Sequence, residues 1–152
     1  MATMNAVVRD LRRELSTNIQ SLTPNRKVES EKDWVEYISS NGKTIRDTSP
    51  EARTFEIGEF SRTDNFGFGG SIRQTVGEIE ITFAYPSTEP WSLAAQDDMM
   101  AIDTYFLVNP STVTGCSNRW VNPLKPLRVE DSQEDARKFY VLTVLCYLET
   151  TL

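Results

Sequence analysis

The sequence predicts an α+β fold: a mainly antiparallel four-stranded sheet packed with two helices. Three observations carry this. Two segments space their apolar residues by three and four, as one face of a helix requires. Others alternate apolar with polar residues, as a half-buried strand does. A final apolar run, residues 139–148, follows a preceding run after a short charged link, which predicts an antiparallel hairpin. The 152 residues suit one domain, so 1–152 is read as a single structural domain, with 24–52 and 61–70 as variable or flexible segments.

In chain order, residues 4–22 predict the first helix. Val8, Leu11, Leu15, Ile19 and Leu22 form its apolar stripe, while Arg12, Arg13, Glu14 and Asn18 take other faces. Pro24 stops it by pushing Thr23 out of helical backbone. Ser30, Glu31 and Asp33 resemble a capped helix start, which places Trp34, Val35, Tyr37 and Ile38 in a short helix up to Ser40. Asn41-Gly42 signals a turn and 43–51 a polar loop. Phe55 and Ile57 alternate with Thr54 and Glu56 in a strand over 53–60, and 61–70 (SRTDNFGFGG) reads as a loop.

The clearest strand covers 71–85. Ile79, Ile81, Phe83 and Tyr85 point one way, and Glu78, Glu80 and Thr82 the other. Ser87, Thr88 and Pro90 make a helix entry. The second helix then covers 91–108, with Ala95, Met99, Ile102 and Phe106 inward and Gln96, Asp97, Asp98 and Asp103 on the polar side. After a loop at 110–118, strands at 119–130 and 138–148 pair. The last strand is apolar on both faces. Helices can meet one; the other is covered either by a neighbouring subunit or by residues 31–60 folding back.

Composition narrows the function classes. A formal charge of −6, with acids spread along the chain, disfavours duplex binding, which needs a basic stripe to release counterions from phosphates. An acidic balance instead suits solubility, or the lining of a channel through which DNA passes without sticking. No apolar run approaches the ~18 residues of a membrane helix, and no segment resembles a signal peptide, so an unexported protein with no membrane association is expected. Cys146 reads as a core residue and Cys116 as an exposed thiol in a reduced compartment.

No catalytic centre is legible. There is no histidine, which removes the commonest general base and the commonest nitrogen ligand. Asp97, Asp98 and Asp103 raise the prospect of a hard cation, but adjacent helix positions diverge by about 100°, and a solvated face is the simpler reading. Asp131, Glu134 and Asp135 lack the ligand alternation of a calcium loop, and the glycine cluster at 67–70 lacks the Lys-Ser/Thr of a phosphate loop. Two features remain. Phe66 and Phe68 sit among glycines as candidate partner contacts, or else pack on their own domain. Glu78 and Glu80 share one strand face, as a wet sheet face or one turned toward a polar lumen. No cofactor, metal or enzymatic activity is expected.

The order and texture of these elements resemble the tail terminator (tail-completion) proteins of long-tailed bacteriophages. The residues that carry the likeness are the end of the first helix at 15–22 (LSTNIQSL), the strand at 77–85 (GEIEITFAY), the helix around 94–102 (AAQDDMMAI) and the final strand at 139–148 (FYVLTVLCYL). The likeness spans 5–22 and 53–150; residues 24–52 and the Phe/Gly segment are longer than a compact member needs. It implies a structural virion protein, assembled in the host cytoplasm, whose ring of six copies sits on the last ring of the tail tube. Such a ring ends tube polymerisation, presents a surface to the head-side connector protein and leaves an axial channel for DNA, toward which Glu78 and Glu80 would face. Its partners would be copies of itself, the tail tube protein and the connector. A head-tail stopper, a tube subunit or a small ligand-binding α+β domain are the alternatives.

Overall fold

The computed structural model describes residues 3–24, 32–39, 41–48, 50–69, 72–132 and 136–151, the side chains of 64–69 excepted. Helix α1 (Met4–Ser21) starts where the Thr3 hydroxyl accepts from the Ala6 amide (3.4 Å) and ends at Leu22, whose backbone turns extended. Its 3–4 spacing buries Val7, Leu11, Leu15 and Ile19 completely. Val8 is only half-buried, so the buried stripe starts one residue earlier than the sequence suggested.

The fold is α+β, with two helices and a mixed, six-stranded sheet in place of the four-stranded one. Its strands are β1 (Val35–Glu36), β2 (Thr54–Gly69), β3 (Ile72–Pro86), β4 (Cys116–Val121), β5 (Arg128–Ser132) and β6 (Arg137–Thr151), with helix α2 (Glu89–Val108) between β3 and β4. They lie in the order β1-β2-β3-β6, and β4 and β5 both pair with the outer side of β6. Every pairing is antiparallel except β1 with β2.

Three elements depart from the sequence reading, each for a local reason. Where a short helix was expected from Trp34, Val35–Glu36 form β1: the Val35 and Tyr37 amides donate to the Arg53 and Phe55 carbonyls (3.1 and 2.7 Å), so tertiary pairing overrides the cap-like signal. The loop expected at 61–70 is strand as far as Gly69, bonded to β3 through two register irregularities, at 62–64 and 65–67, that absorb its Gly-, Asp- and Asn-rich sequence. The strand expected at 119–130 is two pieces. Pro123 and Pro126 carry no N–H for the ladder, so the chain leaves β6 after Asn122, whose amide donates to the Thr143 carbonyl (2.8 Å), and returns at Arg128.

Both helices lie on one sheet face. Val7, Leu11, Leu15 and Ile19 of α1 and Ala95, Met99, Ile102 and Phe106 of α2 share a core with Phe55, Ile57, Ile79, Ile81, Phe83, Tyr85, Leu142, Val144 and Cys146. Fully burying each large aliphatic contributes roughly 1.5–3 kcal/mol. The opposite face is partly roofed by a short 3-10 turn (Ile45–Asp47), whose Ile45 packs on Ala84 and Phe139. Within 31–60, the turn at 45–47 thus folds back over one end of this face. Next to a kink in β2, Phe60 lays its ring where Gly77 has no side chain; a Cβ at Gly77 would strike that ring and come 2.7 Å from the Ser61 carbonyl oxygen. Gly77→Ala is expected to cost about 1–3 kcal/mol in urea unfolding, and a variant as stable as the parent would show that Phe60 does not depend on the gap.

Candidate functional site

The position of α2 is set by a buried charge network. Arg53 has left-handed backbone (φ 62°) at the start of β2, and its amide donates to the Ala84 carbonyl (2.9 Å). Its side chain is fully buried and grips Asp98 of α2 with two bonds, Nε to Oδ2 at 2.8 Å and Nη2 to Oδ1 at 3.3 Å. The Tyr85 hydroxyl donates to the same Oδ2 (2.7 Å), and the guanidinium lies 5.9 and 5.5 Å from the ring centres of Trp34 and Trp91. Burial and the Asp98 charge push the Tyr85 hydroxyl well above its ordinary pKa. The sequence placed Asp98 on a solvated face; it is 2% exposed, because its partner enters from another element. Asp97 and Asp103 are half-buried, and among the described residues no three acids or cysteines are placed to hold a metal ion.

With Asp98 inward, 100° per residue carries Met100 and Leu107 to the far side of the helix. Leu93, Met100 and Leu107 are 58%, 72% and 66% exposed and recur at heptad spacing, with Val108 beside the last. So α2 has two apolar stripes, one in the core and one unpartnered within the chain. The outer one borders an open groove of about 430 Å³ whose opposite wall includes Trp120, Pro123 and Pro126; Leu124 and Val129 are exposed on the same flank. On the opposite flank, Met4, Val8 and Phe60 line a groove of about 490 Å³ between α1 and β2, rimmed by Arg9, Arg12 and Glu59. Val35 and Ile38 are exposed at that end of the sheet, along β1.

The sheet face away from the helices carries Glu78 and Glu80, as the alternation predicted. Glu78 is buried with its Oε1 bonded to Lys125 Nζ (2.8 Å), and half-exposed Glu80 accepts from Arg128 (2.9 Å). Arg46 bonds Glu130 (2.7 Å), which Arg128 also approaches at 3.4 Å. Burial works against ionisation of Glu130, but Arg46 and Arg128 outweigh it and hold the carboxyl below its usual range. Glu78 and Glu80 are therefore members of an ion-pair lattice rather than two bare acids. Beyond it lie Leu145 and a Trp120–Tyr147 ring pair (5.4 Å).

Phe66 and Phe68 lie in the outer half of β2, opposite Arg73 and its neighbours on β3, and their side chains lie outside the described structure, as do Glu134 and Asp135. Cys116, expected to be exposed, is buried, and burial raises its thiol pKa; Cys146 is buried as expected and its thiol is raised for the same reason. No helix among the described residues is long and apolar enough to cross a membrane. No family model matches the chain, and no curated protein matches it.

Asp98→Ala removes both bonds that Asp98 makes to the buried Arg53 guanidinium, with an expected cost of about 3–5 kcal/mol in chemical unfolding. Tyr85→Phe is expected to cost about 1–2 kcal/mol, and Glu80→Gln, at a half-exposed pair, under ~1 kcal/mol; equal losses at all three sites would contradict the ranking. Because Tyr85 stays protonated longer folded than unfolded, its contribution is present below the unfolded pKa of about 10 and is lost as pH rises beyond it. Stability measured between pH 9 and 11 should accordingly fall less steeply in Tyr85→Phe.

Proposed function

We propose that the chain is a structural subunit of a bacteriophage tail. A ring of six copies caps the tail tube, ends its polymerisation and offers the head-side connector protein a joining surface. DNA passes through the axial channel without specific binding, and the work is assembly by surface complementarity, with no reaction. The observation that carries this reading is the pair of exposed apolar surfaces on opposite flanks: Leu93, Met100, Leu107 and Leu124 on one, Val35, Ile38 and the α1–β2 groove on the other. Unlike surfaces on opposite flanks favour head-to-tail contacts, which either close into a ring or continue as a filament. The element order, which resembles tail terminators, favours closure.

The ion-paired sheet face fits the same reading. Glu78 and Glu80 keep the channel side polar, and Lys125 and Arg128 balance them, so a passing polyanion meets no strong field of either sign. Solution mass across a concentration series, with electron microscopy of the largest species, tests the proposal. Closed rings of fixed size that do not stack are expected. Stacking into long tubes would instead identify a tube subunit, and a monomer at every concentration, alone and with tail tubes present, would contradict assembly.

A further inference from the structure

We infer that the outer stripe of α2 in one copy docks into the α1–β2 groove of the next, a pairing that rests on the ring reading above and specifies its contacts. The stripe runs from Leu93 to Leu107, about 21 Å at 1.5 Å per residue. It is apolar along its crest, and α2 supplies Glu89, Asp97, Asp98 and Asp103 without a single Lys or Arg. Asp98 is consumed by Arg53, but Glu89 and Asp103 remain beside the crest. Lys125 lines the facing wall but is bonded to Glu78, so an occupant that brings apolar side chains and positive charge suits this surface.

The groove on the other flank has both. Met4, Val8 and Phe60 form its apolar floor, and Arg9 and Arg12 of α1 line it against the single acid Glu59. Of the two acids of α1, Glu14 turns inward to accept from Ser111 and Thr112 and to face Arg119, while Asp10 is shared by Arg9 and Arg13. Arg9 is 65% exposed, and Arg12 is exposed as well. Two α2 stripes facing each other would instead set Glu89 and Asp103 of both copies together, and that like-charge contact opposes a symmetric dimer. Because the stripe lies toward β4 and β5 and the groove toward β2, one copy can engage two neighbours at once, as ring closure requires.

Two variants separate the surfaces. Met100→Asp/Leu107→Asp spoils the stripe and Arg9→Glu/Arg12→Glu spoils the groove rim; all four side chains are exposed, and circular dichroism checks that both variants stay folded. In sedimentation velocity and native mass spectrometry each variant alone is expected to lose ring formation, its association weakened at least about tenfold. Each keeps one intact surface, so mixing them should give a 1:1 pair that grows no further. Rings from either variant alone would overturn this pairing while leaving the ring in place, and so would two monomeric variants that form no pair on mixing. Wild-type protein that forms no rings under the same conditions would remove the ring reading itself.

Discussion

Arg53 and Asp98 meet inside the domain at 0% and 2% exposure, and much of the architecture follows from having to satisfy that pair. A buried guanidinium is tolerated only when its charge is matched and its donors are used. Asp98, the Lys32 carbonyl and the faces of Trp34 and Trp91 do this together, which ties the segment before β1, the start of β2 and the first half of α2 to one point. The left-handed backbone at Arg53 turns the chain into β2 while its amide and carbonyl bond β3 and β1. Such a pair adds little net stability compared with an apolar core of the same volume. What it fixes is the rotation of α2, and that rotation decides which side chains the helix shows to the outside.

The parts of the fold legible in the sequence are those with one clean period. Helix α1 and strand β3 each have one apolar face, and the middle of β6 is apolar except for Thr143, so spacing alone finds them. The outer half of β2 is illegible because Gly67, Gly69, Asp64 and Asn65 have low strand propensity; pairing with β3 overrides it. Strand β1 is two residues long and joins in parallel, so no hairpin signal announces it. Asp98 looks solvated beside Asp97 because its partner is 45 residues away. The second stripe of α2 was present as the heptad spacing of Leu93, Met100 and Leu107, but in a helix that also has a core stripe such residues read as interior until the rotation is known.

The two sheet faces divide the remaining work. One holds the helices and the core. The other is neither bare nor apolar: Arg46, Lys125 and Arg128 lie over Glu78, Glu80 and Glu130, with the Ile45 turn closing one end. A face roofed by its own ion pairs has little drive to bury itself against another subunit, since exposed pairs contribute little and are screened by salt. Among the described residues the unpartnered apolar surface therefore concentrates at the flanks, on α2 and beside α1, and of the two covers the sequence left open for the outer face of β6, the chain itself supplies part.

A cryo-electron microscopy reconstruction of the assembled species, at a resolution that separates helices, tests the account most directly. It should show a closed ring in which α2 of each subunit lies against α1 of the next and the Glu78–Lys125 face is left free of subunit contacts. Subunits joined through two α2 helices, or with α2 open to solvent and the ion-paired sheet faces packed together, would contradict it.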